Sequence, residues 1–354
     1  MSRSPMTLCV INWNGERYLE RMLAAARQSH RPFDEILLVD NASDDRSRAL
    51  VREHFPDVTI LALDRNDGPA TARNAGFGAA RHDRILFADN DVAIAPGCAE
   101  RLEAALDARA DALVAMPRVL YADRPDVIQY DGADCHFLGL MTTRNADRPV
   151  HDVPSETTDT SSAVTACFLV DRSRWHGGEP FDPSYIFNYE DHDFGVRSRV
   201  MGHALLSVPA ATCLHAGGTP GLSFREGGTR SSLRMYCLIR NRWRIVLQCY
   251  AARTLLLLAP ALALYELVQL IGVTRKGWLG PWLRAAGWMA GHPGVVWRRR
   301  RELQYRRATA DHDILRPGPL PFTTGLAAGK LERNVRDTLD RAFNVYWHLV
   351  ERAL

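Results

Sequence analysis

The feature that most constrains the fold of this chain is an alternation of short apolar runs with helical patterns over residues 1 to about 116. The apolar runs are residues 8–11, 36–39, 58–61, 85–87 and 112–116, and the helical patterns between them are residues 18–27, 47–54, 70–80 and 98–108. Strands that alternate with helices of this length predict βαβ units on a mostly parallel sheet with helices on both faces. The 354 residues can therefore hold one large α/β domain or two ordinary domains.

Polar residues follow four successive predicted strands at the point where each strand ends. They are Asn12 and Asn14 after the first strand, Asp40 after the second, Asn66 after the third, and Asp89 and Asp91 after the fourth. A single motif of this kind, such as LLVDNASDD at residues 37–45, is equally typical of a helix N-cap. Ligands of such sheets bind beyond the carboxyl ends of the strands, so the repetition at four strands favours a binding site.

Composition excludes several classes of protein. The formal net charge of +3 is too small to indicate a nucleic-acid partner, and the seven scattered cysteines suggest neither a disulfide framework nor a zinc site. The only G-x-G, at residues 76–78, ends a helical pattern, which argues against a dinucleotide-binding dehydrogenase. The apolar run at residues 8–11 is too short for a secretory signal, so we expect this part of the protein to be cytoplasmic.

Two carboxylates in FADNDV suggest a cation site. In extended backbone, residues i and i+2 point the same way, so Asp89 and Asp91 can reach one hard cation. An Asx-rich turn explains the same residues equally well, so the spacing alone leaves both readings open.

Five ordered motifs carry a resemblance to a known family. The motifs are VINWNG, LLVDNASDD, NDGPATARNAG, FADNDV and YEDHDFGVRSRVMGH. In order and spacing they resemble the inverting family 2 glycosyltransferases, and most closely the bacterial rhamnosyl- and galactofuranosyltransferase branch. The match covers about residues 6–245, and it implies a GT-A fold with a Rossmann-like, mostly parallel sheet and helices on both faces.

The resemblance implies a set of nucleotide contacts. Asp40 is implied to hold the pyrimidine base of a sugar nucleotide, the backbone around Trp13 to lie against that base, and Arg73 to contact base or phosphate. The full set of nucleotide-binding candidates is Ile11, Asn12, Trp13, Asp40, Asn66, Arg73 and Asn90.

The resemblance also implies a metal site and a catalytic base. Asp89 and Asp91 are similar to the D-x-D pair that binds Mg²⁺ or Mn²⁺ across the donor diphosphate, with Asp91 as the direct ligand. His215 resembles a histidine that completes the metal site in part of the family, although a loop histidine at a strand end remains the alternative. The pair Glu190-Asp191 resembles the family's E-D pair, whose aspartate is the base that deprotonates the acceptor hydroxyl.

The remainder of the chain is expected to be helical and membrane-associated. We divide the chain into a catalytic domain (1–245), with a nucleotide-binding half (1–116) and an acceptor half (117–245), and a C-terminal region (246–354). Within the acceptor half, residues 117–162 are expected to be irregular. Arg240 and Arg242 are expected either near the diphosphate or on a solvated helix face.

Residues about 253–301 carry the membrane prediction. Residues 254–273 are strongly apolar and close to the ~20 residues that span a bilayer, but Pro260 and Glu266 interrupt them. Three tryptophans and an arginine tract at 298–301 follow, a pattern typical of a helix lying in the headgroup layer of an anionic membrane. A helix packed within the protein, a dimer contact and a true span are the alternatives.

Together these features predict an enzyme on the inner face of the cell membrane. It would transfer a sugar, with inversion, from a dTDP-rhamnose- or UDP-sugar-type donor to a hydroxyl of a lipid-linked or cell-envelope glycan. A sugar-phosphate nucleotidylyltransferase is disfavoured because the first strand leads into Asn12-Trp13-Asn14-Gly15 and not into a glycine-rich phosphate loop. A catalytically silent sugar-nucleotide-binding scaffold is the non-enzymatic alternative. The sugar, the acceptor and a homo-oligomeric state are left open.

Overall fold

The structure, a computed structural model, describes residues 3–217, 232–321 and 330–354. Its strands are β1 (Met6–Asn12), β2 (Glu35–Asp40), β3 (Thr59–Ala62), β4 (Arg84–Asp89), β5 (Val92–Ile94), β6 (Ala112–Tyr121), β7 (Arg124–Tyr130), β8 (Ala133–His136), β9 (Leu140–Thr143), β10 (Thr158–Thr160), β11 (Cys167–Asp171), β12 (Ala204–His215) and β13 (Leu315–Arg316). Its helices are α1 (Glu16–Arg27), α2 (Ser47–His54), α3 (Pro69–Ala79), α4 (Cys98–Asp107), α5 (Glu190–Val200), α6 (Ser232–Cys249), α7 (Ala252–Arg275), α8 (Leu279–Gly291), α9 (Pro293–Tyr305), α10 (Asp311–Ile314) and α11 (Lys330–Val350).

A single large sheet organises the first two-thirds of the chain. Its strands run in the order β10-β12-β6-β11-β4-β1-β2-β3, with β5 paired to β12 and β7 to β6. Strands β1 to β4 are parallel, whereas β11 is antiparallel to both of its neighbours, β4 and β6. The register places Asn12 opposite Asp40 and Ile11 opposite Asp89, so the carboxyl ends of three strands meet at one edge.

The expected α/β fold is confirmed, and the first four strands and helices lie within one or two residues of the predicted ranges. The expectation that residues 117–162 are irregular is wrong. Strand β6 continues through Pro117 to Tyr121, and β7 to β10 follow within that range. Pro117 lies where the register between β6 and β12 shifts, a position at which a strand tolerates the missing backbone N–H of proline.

Two apolar layers cover the faces of the large sheet. A third core joins the C-terminal helices to residues 135–140. In that third core the ring of Phe137 stacks on Trp347 at 5.1 Å and meets Phe343 edge-on at 6.3 Å, both residues of α11. The predicted domain boundary at residue 245 falls inside α6, which runs without a break to Cys249.

One helix in the described ranges, α7, is long and apolar enough to cross a membrane, judged by length and composition only. A core helix of a soluble protein can pass the same criterion, but α7 buries only four of its 24 residues, Thr254, Leu258, Ala261 and Val273. All seven cysteines are buried and unpaired, as their scattered positions predict.

Candidate active site

The nucleotide-side loop after β1 is built on a chain of buried amides. The Nδ2 atom of Asn12 donates to Asp40 Oδ1 at 2.8 Å and to Ser43 Oγ at 3.2 Å, and Asn90 Nδ2 donates to Asn12 Oδ1 at 2.8 Å. Asp40 is fully buried, and its second oxygen accepts from the backbone N–H of Ser43 at 3.1 Å. In this structure Asp40 therefore braces the loop that carries the half-buried Trp13.

The remaining nucleotide candidates lie at the same edge of the sheet. The backbone carbonyl of Ile11 accepts from the N–H of Asn90 at 3.0 Å. Asn66, which is exposed, accepts from Asn41 Nδ2 at 2.7 Å and from the N–H of Gly68 at 3.0 Å. Together with the bond from Asn12 to Asp40, these bonds tie the ends of β1, β2, β3 and β4 into one rim.

Arg73 lies between Asp89 of the D-x-D motif and Glu190 of the E-D pair. Its Nη2 atom donates to Asp89 Oδ1 at 2.9 Å and to the carbonyl of Thr165 at 3.2 Å, and its Nη1 atom lies 3.4 Å from Glu190 Oε1. The side chain is only 4% exposed. Burial alone would lower the pKa of Arg73, but the carboxylates of Asp89, Glu190 and Asp191 raise it, so the guanidinium stays charged.

The candidate metal ligands Asp91 and His215 meet across two strands. His215 Nε2 lies 3.1 Å from Asp91 Oδ2, and its Nδ1 atom lies 2.9 Å from Gln129 Oε1, which fixes the ring. Asp89 instead points to Arg73. Burial raises the pKa of Asp89 to about 6, with Arg73 opposing the rise and Asp91 adding to it.

The donor atoms at this point fit a divalent cation. Carboxylate oxygen and imidazole nitrogen together are ligands that Mn²⁺ accepts. No group of three or more His, Cys, Asp or Glu side chains is suitably placed within the described ranges, so Asp91 and His215 would supply two ligands. Such an ion usually takes its other ligands from substrate phosphates and water.

The candidate base lies in the first turn of α5. Glu190 is buried and faces Arg73, whereas Asp191 is partly exposed and accepts from the N–H of His192 at 2.7 Å. Burial and the adjacent charge of Glu190 together raise the pKa of Asp191 to about 7. Burial also raises the pKa of Glu190, against the opposing charge of Arg73. A carboxyl group tuned close to neutral pH suits proton abstraction from a hydroxyl.

Some of the contacts that shape the site were not predicted from the sequence. Ser162 Oγ and His192 Nδ1 lie 2.7 Å apart next to the candidate base. Arg240 and Arg242 lie neither on a solvated face nor free to face a diphosphate, since both are 2% exposed. Arg240 donates to the backbone before α5, and Arg242 pairs with Glu266 and the carbonyl of Leu138. The sequence feature that could have indicated their burial is the run of polar residues at 240–242 between apolar residues of one helix.

The sheet, the rim of polar strand ends and the paired carboxylates are those of a GT-A-like α/β fold. Residues 7–173 match the model of glycosyl transferase family 2.

Among curated relatives, the chain is 38% identical over 129 residues to the succinoglycan biosynthesis protein ExoO of Rhizobium meliloti (strain 1021), covering 36% of this chain and 35% of that protein. It is 29% identical over 241 residues to the N-acetylglucosaminyl-diphospho-decaprenol L-rhamnosyltransferase of Mycobacterium tuberculosis, covering 59% of this chain and 75% of that protein. The matches to the first three curated relatives span only 24% to 35% of their lengths.

A solved structure shares the fold. The crystal structure of GalNAc-T7 with UDP, GalNAc and Mn²⁺ superposes with a TM-score of 0.56 at 17% sequence identity, over 71% of this chain and 49% of that one. At this identity the likeness concerns the fold alone.

Proposed function

We propose that the protein transfers a sugar, with inversion at the anomeric carbon, from a nucleotide-diphospho-sugar to a hydroxyl of a lipid-linked or cell-envelope glycan. The donor would be of the dTDP-rhamnose or UDP-sugar type. The observation that carries the proposal is the ion-paired chain Asp89–Arg73–Glu190, which joins the D-x-D motif to the helix turn that bears Asp191.

In this reaction Asp191 acts as the general base. Its carboxylate accepts the proton of the acceptor hydroxyl as the oxygen attacks the anomeric carbon, and the bond from that carbon to the diphosphate breaks on the opposite face. A base of this kind contributes roughly 10²- to 10⁴-fold to the rate. Glu190 remains bound to Arg73 and keeps the proton affinity of Asp191 high.

The nucleotide would lie along the rim formed by the loop after β1, with Trp13 and Asn66 exposed enough to contact it. Asp91 and His215 would hold a Mg²⁺ or Mn²⁺ ion, which supplies Lewis-acid stabilisation of the leaving diphosphate. A manganese ion and UDP in the GalNAc-T7 structure support this assignment for the fold.

The acceptor proposal rests on the relatives and on the C-terminal helices. One relative is named as acting on N-acetylglucosaminyl-diphospho-decaprenol, a lipid-linked acceptor. Helices α7 to α9 expose a set of large apolar side chains: Leu256, Leu264, Leu267, Ile271, Leu279, Leu283, Val295 and Trp297. The exposed arginines 298, 299 and 301 follow on α9. This combination supports attachment to the anionic inner face of a membrane, where such an acceptor resides.

The first test is donor binding. Calorimetric titration with a panel of sugar nucleotides, in Mg²⁺ or Mn²⁺ and then in chelator, should identify one donor whose binding requires metal. The Asp91→Ala variant should bind that donor as weakly in metal as the unchanged protein does in chelator. Equal affinity of the unchanged protein with and without metal would contradict the metal assignment.

The second test is transfer. With that donor and a lipid-linked acceptor, nuclear magnetic resonance of the product should show the anomeric configuration opposite to that of the donor. Asp191→Asn should abolish transfer while donor affinity stays within about twofold, since the base makes no contact that holds the donor before attack. Retention of configuration, or full activity of Asp191→Asn, would overturn the proposal.

A further inference from the structure

The backbone that leads into α5 has an uncommon conformation. Ile186 has φ 62° and ψ −64°, and the N–H of Phe187 donates to the carbonyl of Tyr185 at 2.6 Å, which together describe a γ-turn with positive φ. Asn188 and Tyr189 follow with φ 59° and 68°. Three of the four residues 186–189 therefore have positive φ, and such positions in non-glycine residues cost of order 1–3 kcal/mol each and persist only where the surroundings hold them. We refer to residues 185–189 as the 185–189 segment.

A single side chain of α6 holds most of this segment. Asn241 is fully buried, and its Nδ2 group donates to the carbonyls of Tyr185 at 3.0 Å, Phe187 at 3.2 Å and Asn188 at 2.6 Å. Two amide hydrogens are thus shared among three carbonyls, of which that of Tyr185 also accepts from the N–H of Phe187 and from Arg240. A buried carbonyl that loses such a donor costs about 1–3 kcal/mol, so this amide pins the segment strongly.

The neighbouring arginines fix Asn241 and the start of the segment. Arg240 Nη2 donates to the carbonyls of Ser184 at 2.7 Å and Tyr185 at 3.1 Å, and to Asn241 Oδ1 at 2.7 Å. Arg244 Nη2 donates to Asp182 Oδ2 at 2.8 Å. The amide orientation of Asn241 is therefore set, because its oxygen faces Arg240 and its nitrogen must face the segment.

On the opposite side, the segment rests against the loop between β3 and α3. A Cβ atom on Gly68 would lie 2.3 Å from the carbonyl oxygen of Ile186, and Gly68 has φ +93°. The segment is thus clamped between that loop and α6. Its last residue, Tyr189, is the N-cap of α5 and accepts from the N–H of Asp193 at 2.9 Å, so its position sets where Asp191 begins the helix.

We propose that Asn241 is a positioning residue, which places the carboxylate of Asp191 for proton abstraction by holding the 185–189 segment through its three carbonyls. The proposal rests on the proposed role of Asp191 as the base. Asn241 itself touches neither donor nor acceptor. A misplacement of about 1 Å at a reacting group can cost of order 10²-fold in rate.

The experiment compares two variants of Asn241 with a matched control in the full-length protein. Asn241→Ala removes the amide, and Asn241→Asp keeps its shape but replaces the donating nitrogen with an oxygen. The control is Gln248→Ala, which lies two turns further along the same helix, is 3% exposed, and has an Nε2 atom without a hydrogen-bond partner among the described residues. Measured are kcat, the donor KM, donor affinity by calorimetry and the urea midpoint.

Both Asn241 variants should lower kcat about 10²-fold while donor KM and affinity stay within about twofold, whereas Gln248→Ala should keep kcat within about twofold. A kcat of Asn241→Asp equal to that of Gln248→Ala would overturn the proposal. Loss of donor affinity together with kcat in both variants would also overturn it, because that pattern indicates a general structural role. If the unchanged protein transfers sugar and Asp191→Asn does not, either of these two results contradicts the role of Asn241 but not the proposed function.

Discussion

Arg73 links the two acidic groups of the site through one buried guanidinium. Its two terminal nitrogens contact Asp89 of the D-x-D motif, Glu190 of the E-D pair and a backbone carbonyl, whereas its buried Nε has no hydrogen-bond partner among the described residues. A buried charge is tolerated only where several partners compensate it, which Arg73 has. The nucleotide contact that the resemblance implied for Arg73 stays a prediction, and its ion pairs with Asp89 and Glu190 also join the two carboxylate pairs.

The first prediction concerns the pH dependence of transfer. A general base works only when it is deprotonated, so with a pKa of about 7 for Asp191 the value of kcat should rise with pH through neutrality and fall below it. Glu190→Gln removes a negative charge that raises this pKa, so the acid limb of the profile should move to lower pH. The measurement is a pH profile of kcat at saturating donor and metal.

Arg73 faces Glu190 and Asp191 from α3 and opposes the rise, so its protonation must not change over the range that is scanned. A profile from pH 5.5 to 8.5 meets that condition, since arginine stays charged throughout. An acid limb that stays in place in Glu190→Gln would show that another group controls it.

At this scale, contiguous motifs were predictable and long-range contacts were not. Asp89 and Asp91 stand two apart in one strand end, and Glu190 and Asp191 are adjacent, so spacing alone suggested shared chemistry. Arg73 and Glu190 are separated by 117 positions, and no local pattern indicates that they meet. The role of Asn241 could not be predicted for the same reason, because its hydrogen-bond partners lie on a turn 53 to 56 positions away.

The secondary-structure elements differ in how well the sequence predicts them. Strands β1, β2 and β4 were predictable because continuous apolar runs are typical of parallel strands buried on both faces. The short antiparallel strands β7 to β10 were not, because their half-exposed residues include the Pro, Asp and Thr that also mark loops. The position of α5 depends on its contacts with residues 162–163, which no sequence period reveals.

The second prediction concerns Gly195, in the middle of α5. A Cβ atom at this position would lie 2.2 Å from the backbone N of Ala163 and 2.8 Å from the backbone C of Ser162, and backbone cannot move aside as a side chain can. Gly195→Ala should therefore lower the free energy of unfolding by about 1–3 kcal/mol despite the better helix propensity of alanine. Urea unfolding followed by circular dichroism measures the change.

The matched control is Gly287→Ala in α8, where a Cβ atom would meet no atom within 4 Å. There only helix propensity acts, and the same substitution should raise the free energy of unfolding by about 0.5–1 kcal/mol. Changes of the same sign in the two variants would contradict the packing argument.

For the whole molecule, the C-terminal helices are part of one packed body with the catalytic half. Phe343 and Trp347 of α11 fill the core around Phe137, and Tyr346 donates to the carbonyl of Leu257 on α7 at 2.5 Å. Removal of the C-terminal region would expose that core, so membrane attachment is better tested by substitutions on the surface. This shared core was not predictable from the sequence, because it joins residues about 200 positions apart.

The last prediction concerns the membrane face. Leu256, Leu267 and Ile271 lie on one side of α7 and are 78%, 56% and 47% exposed, and exposed Trp297 adjoins the arginines of α9. Replacing the three aliphatic residues by glutamine removes apolar area worth up to about 1.5–3 kcal/mol per side chain when fully buried in lipid. The triple variant should therefore bind vesicles containing phosphatidylglycerol at least 10²-fold more weakly than the unchanged protein in a sedimentation assay.

The control replaces Val345 and Leu349, exposed apolar residues of α11, and should bind as tightly as the unchanged protein. Binding to neutral vesicles should be weak for every variant, since the arginines of α9 then lose their attraction to lipid headgroups. Equal sedimentation of the triple variant and the control on anionic vesicles would place the membrane contact elsewhere on the molecule.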